Sequence, residues 1–213
     1  MRPPFFMEFL FVGCSITWGD ELKDRLNSRY SKIICDALGA NETNIAECGQ
    51  SNDWIARRVV EETRKKKYDR VYVQFTIPSR LEYYTETDVH KFTPQSASQK
   101  THKYYTQARW YYKMVWNRQH GIEHMYKNKF IIENAVDSEI VFMIADCCGD
   151  NKPRRIALHQ QSYWNRLCKM EHHWIWRDMI GRPYREGLLG KLEGHPLEDE
   201  HMKIANYLLN KDK

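Results

Sequence analysis

The chain has 213 residues, 42% of them apolar and 29% charged, with a formal net charge of +5. That length suits one sizeable domain, and no glycine-, proline- or serine-rich linker divides it, so we expect a single domain over 1–213. Charges of both signs spread along the sequence argue against a nucleic-acid partner, and no stretch approaches the roughly 20 apolar residues of a membrane span.

The start of the chain, Met1-Arg2-Pro3-Pro4, leads into an apolar run broken by Glu8, which is not the pattern of a secretory signal. We therefore expect a cytoplasmic protein. The six cysteines, Cys14, Cys35, Cys48, Cys147, Cys148 and Cys168, lack the paired spacing of a zinc ribbon or a thioredoxin site and read as reduced thiols. Cys14 and Cys48 read as small buried filler, because nothing beside them in sequence would lower a thiol pKa.

A first strand is expected over 5–13. It runs into Gly13-Cys14-Ser15-Ile16-Thr17-Trp18-Gly19. Glycine makes a tight bend there cheap, and Asp20-Glu21-Leu22 reads as the acidic first turn of a helix over 20–37. Ser15 then stands at the carboxyl edge of a sheet, where open α/β folds place their chemistry. A second strand is expected near 43–48, followed by the glycine turn Cys48-Gly49-Gln50. Ser51 or Asn52 would cap a helix over 52–67. The Gly49 N–H is free of steric hindrance and suits a donor to an oxyanion.

A third strand follows at 70–76. Both Asp69-Arg70-Val71-Tyr72-Val73-Gln74-Phe75 and Glu139-Ile140-Val141-Phe142-Met143-Ile144-Ala145, in a strand over 139–147, are apolar almost throughout, as strands covered on both faces are. The stretch 77–100, with Pro78, Pro94 and the polar run 95–99, is the least regular and reads as a lid or specificity loop. Residues 104–116 carry aromatics at helical spacing among basic side chains, read here as a core stripe rather than a base-stacking surface. Cys147-Cys148 with His172-His173 lacks ligand-like spacing, so no metal and no cofactor are expected.

Near the far end, Glu193-Gly194-His195-Pro196 precedes a final helix over 198–210. Proline holds the residue before it extended, which keeps His195 in a loop where it can act as a general base, with Glu193 free to orient the ring. Asp178, beside Arg177, is a fallback for the acid and reads more simply as a surface ion pair. His201, on the apolar face of the last helix with Ile204, Ala205 and Leu208, reads as a structural histidine. Alternating strands and helices give the fold class as three-layer α/β/α, a flavodoxin-like parallel sheet with helices on both faces.

At these residues the chain resembles the SGNH/GDSL hydrolases, esterases and lipases, in particular compact phage-type and bacterial members whose first block reads Gly-Cys-Ser. Gly13 to Gly19 matches the nucleophile block, Asn44 to Asn52 the glycine block, and Gly194-His195-Pro196 the histidine block. The resemblance implies a serine nucleophile at Ser15, His195 as base, Glu193 as acid, and an oxyanion hole built from the Ser15 and Gly49 N–H groups, with a Thr76 or Ser79 hydroxyl standing where the family has an asparagine. Arg80 would bind substrate. The substrate class implied is a small ester or acylated carbohydrate, and the phage-type likeness allows a virus-encoded origin.

Two departures stand out. Family members carry an asparagine in the third block, where this chain reads Gln74-Phe75-Thr76-Ile77-Pro78-Ser79-Arg80; losing such a donor costs about 3 kcal/mol of transition-state stabilisation. The family acid lies three residues before the histidine, at Leu192 here, one place from Glu193. A weakly active or inactive carbohydrate-binding or interaction module of the same fold is the alternative these departures leave.

Overall fold

The structure is a computed structural model, which describes residues 6–145, 173–174 and 195–211. In chain order the elements are β1 (Glu8–Val12), α1 (Ser15–Trp18), α2 (Arg25–Ser28), α3 (Tyr30–Leu38), β2 (Asn41–Asn44), α4 (Asn52–Lys65) and β3 (Arg70–Phe75). A hairpin, β4 (Leu81–Tyr84) with β5 (Val89–Phe92), and a 3-10 turn (Pro94–Ala97) follow. Then come α5 (Tyr105–Met114), α6 (Arg118–Ala135), β6 (Glu139–Ile144), β7 (His173–Trp174) and α7 (Glu198–Lys211).

Five strands form a parallel sheet in the order β2-β1-β3-β6-β7. This is the flavodoxin-like order, and its switch point, where successive crossovers leave in opposite directions, lies between β1 and β3. Side chains along a strand alternate between faces, so β1 feeds two cores at once. Leu10 and Val12 pack with Val71, Val73 and Phe75 of β3 against Ile55 and Val59 of α4 and Met125 and Ile132 of α6. Phe9 and Phe11 pack with Tyr72 against Ile34 of α3 and Ile204, Ala205 and Leu208 of α7. Helices therefore cover both faces, as the apolar strands require.

The expected helix over 20–37 is instead two helices, α2 and α3, preceded by a short helix and a turn. Helix α1 starts at Ser15 and stops at Gly19, whose φ of 81° is left-handed; Glu21 also has a positive φ of 67°. Asp24 then caps α2 through the Asn27 N–H, and Arg29 is extended before α3 begins. The second strand lies at 41–44 rather than 43–48. Its polar sequence, Asn-Glu-Thr-Asn, hides it from a propensity reading, yet it pairs with β1 in register from Glu8↔Asn41 to Phe11↔Asn44. A two-pronged ion pair from Arg29 to Glu42, at 3.0 and 2.7 Å, fastens it to the start of α3.

The irregular stretch 77–100 contains the β4–β5 hairpin, held by the stacked rings of Tyr83 and Phe92 4.7 Å apart. The aromatic stretch 104–116 does form a helix, but not a core stripe. On α5 only Ala108 is buried, Trp110 is 61% exposed, and the tyrosines are half-buried. No helix among the described residues is long and apolar enough to cross a membrane.

The last helix is locked by His201. Its ring is fully buried and stacked on Tyr30, and Nδ1 accepts the Tyr30 N–H at 3.1 Å, which satisfies a donor that the first turn of α3 leaves free. Burial pushes the His201 imidazole down to about 4, against the opposing charges of Glu198 and Glu200. The folded chain thus holds the ring neutral where the unfolded chain, with an ordinary value of 6.5, protonates it. Stability should be fully present above pH 6.5 and fall as the pH drops toward 4, by roughly 3 kcal/mol from this residue. Urea denaturation across that range checks it, and His201→Asn, which keeps an acceptor, should flatten the slope by about one proton.

Candidate active site

Everything at the site is hung from the carboxyl ends of β1 and β3. After Val12 the chain turns at Gly13, where a Cβ would come within 2.4 Å of Thr17 Oγ1 and 2.8 Å of Gln74 Oε1. Those two groups belong to one buried network. Gln74, fully buried on β3, accepts the Cys14 N–H at 3.0 Å and the Thr17 hydroxyl at 3.0 Å through Oε1, and its Nε2 donates to the Phe75 carbonyl at 2.9 Å. Because Thr17 has one proton and gives it to Gln74, it accepts from the Tyr30 hydroxyl at 2.8 Å. Ser15 is the first residue of α1 and 5% exposed, with its hydroxyl 3.8 Å from the Cys14 sulfur. As the first residue of a helix, its N–H has no intrahelical partner.

The glycine block lies alongside. Asn44 ties it to α1 and α3, its Nδ2 donating to the Thr17 carbonyl and to Ser31 Oγ, both at 2.9 Å. Gly49 has a φ of 76°, which explains the residue type, and open space where a side chain would be. Ser51 caps α4 through the Trp54 N–H at 3.1 Å. Asn52 grips the backbone of Thr76 from both sides, accepting its N–H at 2.8 Å and donating to its carbonyl at 3.2 Å. Thr76 is thereby fixed and 2% exposed, with its hydroxyl beside the Cys14 thiol.

Cys14 is buried, as read from the sequence, but it is not electrostatically idle. Burial pushes its thiol up, yet the Arg80 charge and hydrogen bonds with Thr76, Gln74 and Ser15 outweigh that and leave it below its ordinary value. Arg80 is half-buried, and its Nε and Nη1 are shielded from solvent with no hydrogen-bond partner among the described residues. Cys48, in contrast, is exposed, and its thiol is pushed up to about 11 by burial of its sulfur and by Asp20.

His195 comes to the same rim from the other end of the chain. Its ring meets the turn that leaves α1, with Nδ1 3.3 Å from Glu21 Oε1 and 3.7 Å from Asp20 Oδ2, and the His195 backbone N–H donates to Glu21 Oε2 at 3.1 Å. The turn is fastened a second time where the Lys23 N–H donates to Glu198 Oε1 at 3.2 Å. The structure thus sets Ser15, Thr76 and Arg80 about Cys14, and His195 against the turn that follows α1; among the described residues no hydrogen bond joins Ser15 to His195. Glu193, Asp178, Cys147, Cys148, Cys168 and His172 lie outside the described residues, as does the His173 side chain. Among the described residues no group of three or more His, Cys, Asp or Glu could hold a metal ion.

Three contributors escape a linear reading: Gln74, Asn52 and the pair Asp20-Glu21. Gln74 alone carried a signal, as a polar residue inside an otherwise apolar strand that both layers cover.

No family model and no curated protein sequence matches this chain. Solved structures do. An acetylxylan esterase from Geobacillus stearothermophilus, solved as a catalytic mutant, superposes with a TM-score of 0.55 over 99% of this chain and 96% of its own, at 16% identity. A lipolytic protein of the G-D-S-L family from Veillonella parvula gives 0.53 over 96% and 97%, at 14%. The psychrotrophic esterase EstA from Pseudoalteromonas sp. gives 0.53 over 95% and 94%, at 13%. At such identities the likeness is one of fold: the architecture is that of the SGNH/GDSL esterases over nearly the whole length of both chains.

The Gln74 network makes a direct prediction. Replacing Gln74 with Leu leaves the Cys14 N–H and the Thr17 hydroxyl buried without an acceptor, at about 1–3 kcal/mol each. Urea denaturation should show a loss of roughly 3 kcal/mol or more, well beyond the effect of an ordinary surface substitution.

Proposed function

We propose that this protein is a serine esterase that removes a small acyl group from an oxygen, with an O-acetylated carbohydrate as the substrate class. The observation that carries this reading is the position of Ser15: a hydroxyl on the first residue of a helix, at the switch point between β1 and β3, with His195 delivered to the turn that follows the same helix. Solved esterases of this fold include acetylxylan esterases, which is consistent with the substrate class.

In the proposed reaction the Ser15 hydroxyl attacks the ester carbonyl while His195 takes its proton. The Ser15 and Gly49 N–H groups donate to the oxyanion, where a preorganised donor is worth most. Collapse of the tetrahedral adduct expels the alcohol with the proton returned by His195, and water then releases the acid from the acyl-enzyme. Thr76 is held by Asn52 at the edge of this space and is the proposed third oxyanion contact. Arg80, with unpartnered guanidinium nitrogens beside Cys14, is the proposed contact to the substrate. The hairpin within 77–100 follows β3 directly and is the proposed specificity element.

Two observations favour a second reading. The third block has no asparagine and Ser15 has no hydrogen bond to His195, which suits a binding module that keeps the fold without efficient turnover. The two readings part on one experiment. Purified protein should hydrolyse p-nitrophenyl acetate and take up a fluorophosphonate on Ser15, and Ser15→Ala should lose at least about a thousandfold in kcat and all labelling. Equal background rates from both proteins would leave the binding module.

A further inference from the structure

The position from which the fold family draws its acid holds Leu192, yet His195 already has a carboxylate against it from elsewhere. Glu21 touches His195 at two atoms, accepting its N–H through Oε2 at 3.1 Å and facing Nδ1 with Oε1 at 3.3 Å. Asp20 Oδ2 stands behind at 3.7 Å. Nδ1 is shielded from solvent and has no aligned hydrogen bond. Contacts of this kind are often long in the absence of substrate and tighten in the reacting complex.

The backbone at Glu21 supplies an independent observation. It is the one non-glycine residue with a positive φ among the described residues, at 67°. Glycine or asparagine would adopt that conformation with little strain, whereas a glutamate is strained there, and such strain tends to be kept where a side chain has work to do. The conformation turns the chain at the end of α1 so that its carboxylate reaches a residue 174 positions away. Pro196 holds His195 extended, and the bond from Lys23 to Glu198 clamps the two segments on the other side.

We propose that Glu21 is the positioning carboxylate of His195, supplied by the turn after the nucleophile helix instead of by the residues before the histidine. This rests on the serine-esterase reading above and deepens it. A carboxylate at Nδ1 holds the proton on that nitrogen, leaving Nε2 with the lone pair that accepts the Ser15 proton, and it stabilises the imidazolium formed in the transition state. A glutamine there can turn its amide toward Nδ1 and favour the opposite tautomer.

The test uses the whole protein and two readouts. In 15N-histidine NMR spectra, with the signal assigned by its loss in His195→Ala, His195 should be the Nδ1–H tautomer in the wild type and lose that form in Glu21→Gln. With p-nitrophenyl acetate, Glu21→Gln should lower kcat roughly 10- to 100-fold with KM within twofold, less than the ~10⁴ of a fully buried triad acid because Glu21 is half exposed. In a His195→Ala background the same substitution should have no further effect, which separates action through His195 from a general structural role. Glu21→Gly relieves the strained φ, so it should melt a few degrees higher while losing the same turnover. An unchanged tautomer in Glu21→Gln overturns the proposal, as does an equal loss in the His195→Ala background, or a loss confined to Glu193→Gln. If the wild type shows no Ser15-dependent turnover but the tautomer still shifts, the esterase reading falls and the Glu21–His195 pairing stands.

Discussion

One buried amide holds the candidate site in shape. Gln74 sits on the central strand β3 and uses both ends of its side chain inside the protein, gripping the turn that carries Ser15 while anchoring back on Phe75. Parallel pairing of β1 with β3 sets the two strand ends side by side, but backbone pairing stops at Val12. Beyond it, the Cys14 N–H and the Thr17 hydroxyl are buried and need an acceptor, and Gln74 provides one for both. Gly13 is the necessary complement, since any side chain there would collide with this network.

The second half of the site depends on how the end of the chain is secured. Helix α7 packs with α3 against one face of the sheet, and the buried His201–Tyr30 contact fixes it along its axis. Residues 195–197, which lead into that helix, lie against the turn between α1 and α2. Glu21 and Lys23 then meet His195 and Glu198. The same turn therefore ends α1 and receives the histidine, so a strained backbone there affects both partners of the proposed proton transfer. Arg80, arriving from the loop after β3, adds a positive charge beside Cys14 that favours its thiolate.

Much of the frame was legible in the sequence, because burial leaves a periodic trace. The apolar strands β1, β3 and β6 were found near their true positions, and so were α4 and α7, whose caps and apolar faces are local. The readings that failed share one cause. The supposed helix over 20–37 has helical composition, but Gly19 and Glu21 turn left-handed to meet distant partners. β2 is polar and exists as a strand because β1 pairs with it. On α5 the aromatic spacing is real, yet what decides burial is whether another layer covers it, and Trp110 is left facing solvent.

The sequence by itself determined the wound sheet, the placement of a glycine and a serine at the end of its first strand, and a histidine held in a loop by proline, since each follows from hydrophobic periodicity and backbone stereochemistry within a few residues. Only the tertiary structure decided which groups surround them: Gln74 on the turn after β1, Asn52 on Thr76, Arg80 beside Cys14 and Glu21 on His195. Those partners lie from 24 to 174 positions apart wherever a hydrogen bond joins them. A polar contact across such a distance is selected by what the packed layers bring together and by the cost of leaving a buried group unpaired, and neither has a local signature.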